Sequence, residues 1–482
     1  MEKNDYLKIG FLMLIPILLF SPLFYTSYFY TDEVLQLWFY RKGSDFAMFV
    51  PQGRVLTDRL FRFLYSHIDT IGQLRTLRLF SLAGWLICMP VWYSVFNRVT
   101  RDEGLPPQLP FYSLLFLVCS LPFSISIQWA ACMELFVANT CGLLAGYFVY
   151  RYDRRGWLPA LLLGLISLFF YQNGFGCYLL PFFLQIVARQ KFDRKMIAPL
   201  VVYFAIYLVY FLLLKGMMNW VFHGNITGRA ALLDNQVEKV YYLFTKILPQ
   251  AFYFNAVVYE KSVAGRIVFG VIAGVCLWLN YRTVKKRSFL IYALLIFGCF
   301  ILIYLPLMVI HENYSSNRTL LGLDMAVFFW VFITVVRSLG KLRLLPNLLT
   351  VIGCLLVLTA LNNFRFIFLR PAADEYSSIK TFIGQNYKPG ISSIDYIRTA
   401  EDQVRKKYRV QSSWDEYGMS SSHFAWVPES LIRQLVFELT GNRSIAEKLT
   451  IRVWADRSAF QASGHPVTEE SLLVDAPEIL RK

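Results

Sequence analysis

The stretch Thr31-Asp32-Glu33 sets two carboxylates side by side where a long apolar run has just ended. Ionised groups at membrane depth are costly unless they reach water, a cation or a substrate. A carboxylate in that position can take a proton from a hydroxyl, and two neighbouring carboxylates can hold a hard cation such as Mg2+ or Mn2+ through oxygen. A plainer role also fits, because Thr31 is an acceptable helix cap and acids favour a first helical turn. Two arginines stand out for the opposite charge: Arg54 in Gln52-Gly53-Arg54, and Arg318 in HENYSSNRTL. A guanidinium fork binds phosphate bidentately. Arg54 reads equally as a snorkelling interfacial arginine, whereas Arg318 opens an apolar helix, where a cation opposes the helix dipole.

The elements that must carry these residues are membrane helices. Of 482 residues, 56% are hydrophobic and only 17% charged, which makes the chain a mostly α, polytopic membrane protein. The net charge of +16 is what basic cytoplasmic loops near lipid phosphates supply, and argues against nucleic acid. The eight cysteines sit in apolar stretches and none follows Cys354, so they form no disulfide framework or Cys-rich zinc site. About eleven runs suffice to cross a bilayer at roughly 20 residues each: Ile9–Tyr30, Leu79–Phe96, Phe111–Ile127, Met133–Tyr150, Leu158–Tyr171, Phe175–Ala188, Met196–Lys215, Val263–Asn280, Phe289–Ile310, Thr319–Val336 and Leu348–Phe368. The first of these lacks a cleavage site and reads as a span rather than a signal peptide.

The connecting loops predict orientation. NRVTRDEGLPPQ, RYDRRG, ARQKFDRK, YRTVKKRS and RSLGKLR are rich in Arg and Lys, while the turns around Gln128, Gln172 and His311 hold only Arg318. The positive-inside rule then places the N-terminus in the cytoplasm and Asp32, Glu33 and the tail outside. The membrane part spans 1–370, with two long outer loops at 31–78 and 216–262. Both loops carry the period of an interfacial helix. In the first, Leu56, Leu60, Phe63, Leu64 and His67 share one face, with His67 expected to be packed, and Arg54, Asp58 and Arg62 share another. In the second, Val237, Val240, Tyr241, Phe244 and Leu248 repeat the pattern beside Lys246. The tail, 371–482, mixes helix-like SLIRQLVFEL with strand-like KLTIRVW and SLLVD and reads as a small soluble α/β domain. No Gly-rich phosphate loop, Gly-x-Ser-x-Gly elbow or His-Glu-x-x-His occurs.

This arrangement, with TDE at Thr31–Glu33, QGR at Gln52–Arg54 and FYQNGFG at Phe170–Gly176, resembles the GT-C glycosyltransferases, and is similar among them to the Gtr-type glucosyltransferases of bacterial surface polysaccharide. The resemblance covers the membrane part of the chain. It implies transfer of a sugar, such as glucose, from a polyprenyl-phosphate carrier to a surface glycan or lipid-linked acceptor on the outer face of a bacterial inner membrane. In that reading Asp32 is the general base and Glu33 either its partner or a group that orients the acceptor. Arg54 and Arg318, then Arg229 and Lys246, bind the donor phosphate. Tyr171, Gln172, His311 and Glu312 hold sugar or acceptor, although Gln172 suits a plain turn as well. Mg2+ or Mn2+ on Asp32 and Glu33 is compatible with the resemblance, and His311 and Glu312 are a second place where a metal could be held.

Two other classes share these features. A lipid-linked-glycan transporter is also polytopic, but would show membrane-embedded charges and broken helices in paired halves. A polysaccharide polymerase or ligase uses the same donors, with its arginines expected in later loops and no acid pair after the first helix.

Overall fold

A computed structural model of the chain describes residues 3–191, 193–222, 236–258, 262–284, 286–310, 313, 315–340, 342–413, 416–465 and 468–481. Arg229, His311 and Glu312 therefore lie outside the described residues.

The first helix, α1 (Lys3–Leu19), ends in a 3-10 turn at Ser21–Phe24. The first long loop holds two short helices, α2 (Glu33–Phe39) and α3 (Val55–Tyr65), and leads into α4 (Leu74–Asp102). Next, α5 (Leu109–Val118) and α6 (Leu121–Gln128) meet at 44°. That break is encoded locally: Pro122 removes an amide donor in the first turn of α6, and the Ser120 hydroxyl caps it by accepting from Phe123 N at 3.3 Å. The next pair, α7 (Leu135–Tyr152) and α8 (Trp157–Phe170), pack along one another as a hairpin turned at Asp153, which has positive φ. Then come α9 (Leu180–Arg189), α10 (Ile197–Met217), and a continuous helical run formed by α11 (Gln236–Tyr242), a π-helical turn and α12 (Leu248–Ala251). After α13 (Val263–Thr283), α14 (Lys286–Ile303), α15 (Leu305–Val309) and α16 (Leu321–Leu339), the chain enters one long helix. It comprises α17 (Leu345–Asn362), a π-helical stretch at Asn363–Leu369 and α18 (Arg370–Asn386).

Among the described residues six helical runs are long and apolar enough to cross a membrane: Ile71–Asp102, Ala130–Phe170, Arg194–Phe222, Val263–Thr283, Leu321–Leu339 and Leu345–Asn386. The bent α5–α6 pair makes a seventh if counted as one span. Their outward faces are apolar. Leu208 and Leu212 on α10, Val263, Ile267 and Val271 on α13, and Val351, Leu355 and Leu358 on α17 are all exposed, which water would penalise and hydrocarbon would not. The chain is thus a mostly α, membrane-embedded protein.

The last helix runs past Arg370, where the sequence suggests the tail begins. Pro371 lacks an N–H and would crowd a carbonyl one turn back, and the wider π-helical stretch just before it absorbs that misfit without ending the helix. Beyond Asn386 lies a parallel three-stranded sheet, β1 (Ser393–Ile397), β2 (Thr450–Trp454) and β3 (Ser471–Asp475), in the order β2-β1-β3. Helix α19 (Gln403–Tyr408) follows β1, and helix α20 (Val427–Thr440), built from the SLIRQLVFEL segment, packs on α2 and β2. Asp395 and Arg452 stand opposite each other in the β1–β2 register and form a two-pronged ion pair at 2.8 and 2.7 Å.

Helix α3 lies as the periodicity predicts, but with its apolar side outward. Phe63 is exposed and Leu56, Leu60 and Leu64 are half-buried, while Asp58 is buried. His67, expected to be packed, is exposed, with Nδ1 2.7 Å from Phe63 O. In an interfacial helix the apolar stripe meets lipid, so the polar stripe must find its partners inside the protein.

Candidate functional site

The acid pair is divided by the backbone. Thr31 has φ 39, a left-handed conformation that is costly for a β-branched residue, and it sends the two side chains to different places. Glu33 is fully buried: Arg78 Nη2 lies 2.5 Å from Oε2, Tyr30 N donates to the same oxygen at 2.7 Å, and Ala130 N donates to Oε1 at 2.5 Å. The Arg78 guanidinium also stacks 3.6 Å from the Tyr28 ring. Glu33 therefore ties the first loop to α4 and to the turn before α7. Asp32 is half-buried and accepts from Trp426 Nε1 at 2.8 Å. The two carboxylates do not fit a shared Mg2+ or Mn2+, because both Glu33 oxygens are committed to N–H donors. Among the described residues no group of three or more His, Cys, Asp or Glu could hold a metal.

Arg54 emerges from a tight turn that depends on Gly53. That residue has φ 79, and a Cβ there would strike the Tyr210 hydroxyl. The turn is held from two sides. Gln172 Nε2 donates to Gln52 O at 2.8 Å and to the Tyr210 hydroxyl at 2.9 Å, and that hydroxyl donates to Gly53 O at 3.1 Å. Arg54 Nε in turn donates to Gln172 Oε1 at 3.3 Å, and its guanidinium lies 4.3 Å from the Tyr171 ring. The QGR and YQ segments, far apart in sequence, thus form one unit. Glycines on both sides of the contact let this happen: a Cβ on Gly142 or Gly146 of α7 would strike the backbone of Gly174 or Tyr178, and one on Gly174 would strike Ala138 of α7, so the turn lies directly on the helix.

Arg318 arrives from the 3-10 turn Asn317–Thr319 just ahead of α16. Its guanidinium lies 4.4 Å from the Trp129 ring, with Nη1 3.7 Å from Cys132 Sγ, and Trp129 meets Tyr30 edge-on at 5.5 Å between centroids. The arginine ahead of the helix is therefore not left to oppose the dipole alone; stacking on indole stabilises it.

Within reach of the charge of both cations is a residue that the sequence reading did not single out. Glu134 is buried, its Oε2 has no hydrogen-bond partner among the described residues, and both Arg54 and Arg318 act on its charge. The same two arginines act on the Tyr171 hydroxyl. One signal could have found Glu134: it is the only charged residue between Glu103 and Arg151. Lys246 stands apart. It lines a cleft with Gln250, Tyr253, Arg266, Ser315 and Asn317, whose walls include neither Arg54 nor Arg318.

No protein-family model, curated protein or solved structure matches this chain. The fold and the site define a polytopic helical membrane protein with two ring-stacked arginines and a buried carboxylate gathered at one end of its bundle.

Proposed function

We propose that this protein is an integral-membrane glycosyltransferase that moves a sugar, a hexose such as glucose, from a polyprenyl-phosphate carrier to a surface glycan or lipid-linked acceptor. The observation that carries this reading is the pair of guanidinia, Arg54 on Tyr171 and Arg318 on Trp129, held on the membrane domain close enough to act together on Glu134 and Tyr171. A glycosyl phosphate needs no proton on its leaving group, so its chief demand is for cations where charge grows on phosphate. Asp32, oriented by the Trp426 indole, serves as the base for the acceptor hydroxyl. Glu33 positions the loop that carries it, and Gln172 positions Arg54.

In this reading the chain crosses the inner membrane of a bacterium eleven times. The run Ala130–Phe170 crosses twice, as α7 and α8, the bent α5–α6 pair crosses once, and the shorter helices α1, α9 and α14 add to the long runs; the N-terminus is cytoplasmic, and the C-terminal α/β region lies on the same outer side as Asp32.

The test is sugar transfer by purified protein from a panel of labelled polyprenyl-phosphate sugars. Wild type should release carrier phosphate from one preferred sugar, and Asp32→Asn and Arg318→Ala should each lose about 100-fold or more in turnover while remaining folded. No transfer from any donor would reject the reading in favour of a polymerase or transporter, and full activity in Asp32→Asn would reject Asp32 as base.

A further inference from the structure

The segment Glu416–Trp426 reaches from the C-terminal region to both halves of the membrane site. At one end Glu416, fully buried, gathers the turn that carries Arg318. Its carboxylate accepts from the Ser316 hydroxyl, from Asn317 N at 2.7 Å, from Asn317 Nδ2 at 2.8 Å and from Arg318 N at 3.0 Å. Ser413 Oγ accepts from Asn317 Nδ2 as well, at 3.0 Å. At the other end Ser421 Oγ accepts from Thr31 N at 3.1 Å, and Trp426 Nε1 donates to Asp32. The middle is anchored to the long terminal helix: Glu375 accepts from Ser420 Oγ at 2.6 Å, Ser421 N at 2.9 Å and Ser422 N at 2.8 Å. Gly418, at φ 65, makes the bend, where a Cβ would strike Gln411 O.

We infer that this strap is a positioning element of the site, with Glu416 setting the place of Arg318 and Trp426 setting the orientation of Asp32. A carboxylate with four N–H and O–H donors is worth far more as a fixed anchor than a neutral turn would be. The backbone amides of Asn317 and Arg318 have no other reason to converge on a residue about a hundred positions downstream. The arrangement makes the C-terminal region part of the membrane site, holding the cation that would meet phosphate with one hand and the acid that would meet acceptor with the other.

The kinetic consequence rests on the transferase reading, but the geometry does not, so two readouts are taken. In the full-length protein in lipid nanodiscs, hydrogen exchange at the Asn317 and Arg318 amides should speed up about tenfold or more in Glu416→Gln, since charge-assisted bonds are worth about 1.5–3 kcal/mol and 1.4 kcal/mol is tenfold. Trp426→Phe should leave those amides unchanged. In the transfer assay Glu416→Gln should lower kcat about tenfold, the same constant that Arg318→Ala lowers, without moving the pH profile. Trp426→Phe should lower kcat and move the acid limb of the pH profile upward, because a lost donor to the Asp32 carboxylate disfavours its charged form, with donor KM unchanged. Unchanged exchange in Glu416→Gln overturns the inference, as does an equal fall in kcat with the same pH profile in the two variants, which would mean general loosening. If the wild type transfers no sugar at all, the proposed function fails and exchange alone decides the strap.

Discussion

The bundle has two polar ends, and they treat charge differently. At the end away from the site, roughly 40 Å along α4 at 1.5 Å per residue, Glu103, Asp5 and Arg337 all have partners. Glu103 takes Arg189 at 2.8 and 2.9 Å, the Tyr150 hydroxyl at 3.1 Å and Gln185 at 3.2 Å. Asp5 takes Tyr93 at 3.0 Å and Asn97 at 3.3 Å, with Arg101 nearby, and Arg337 closes the carbonyls of Val187 and Ala188. At the site end, among the described residues, Arg54 makes no ion pair and is held by an aromatic ring and an amide. Glu134 keeps an oxygen without a hydrogen bond there. Charges that satisfy one another complete a fold, while charges held in place by neutral groups keep their field for a ligand.

The largest effect should come from the fully buried ion pair at the site end, Arg78 with Glu33. Arg78→Met strands the Glu33 carboxylate and should cost about 3–5 kcal/mol, read as a fall in unfolding midpoint and folded yield. Arg78→Met with Glu33→Gln should recover much of it, and failure to recover would mean that Glu33 does more than balance Arg78. Next, Arg54→Ala should cost about 100-fold in donor turnover, near 2.7 kcal/mol, with the unfolding midpoint little moved; a stability loss of the same size would erase the distinction between the ends. Glu103→Gln should do the reverse, losing about 2 kcal/mol of stability with transfer unaffected.

The smallest effect, on the order of 1 kcal/mol after allowing for solvent on Arg452, belongs to Asp395 in the sheet. Burial pushes its carboxyl up, but the hydrogen bonds from Arg452 and Trp454 outweigh that and hold it below the usual carboxylate range. A lowered folded value means that this contribution is full above the unfolded value, about 3.9, and is lost as pH falls through the folded one. Asp395→Asn should therefore lower stability at neutral pH and converge with wild type in acid.

Much of the architecture is legible in the chain. Apolar runs predict the long helices, because a backbone in hydrocarbon must satisfy its own hydrogen bonds, and the periodicity of 54–68 and 237–248 predicts interfacial helices. The site is legible in pieces only. Arg54, Tyr171, Gln172 and Arg318 draw notice by type and setting, but nothing local says that Arg54 and Gln172 bond or that Lys246 lines a different cleft. Asp32 and Glu33 look alike in sequence, and only the left-handed turn at Thr31 separates an ion-pair anchor from an accessible acid. Glu134 is visible as a lone charge, yet its closeness to two arginines is a fact of packing.

Composition and period by themselves determined that this is a helical membrane protein with acids and arginines at helix ends, because burial of apolar surface and backbone satisfaction are properties of single segments. Which charges are neutralised, and which are kept for something else, was decided only by the tertiary structure. Ion pairs and hydrogen bonds are settled within about 3 Å, and residues as distant in sequence as Asp32 and Trp426 come that close only when the whole chain has folded.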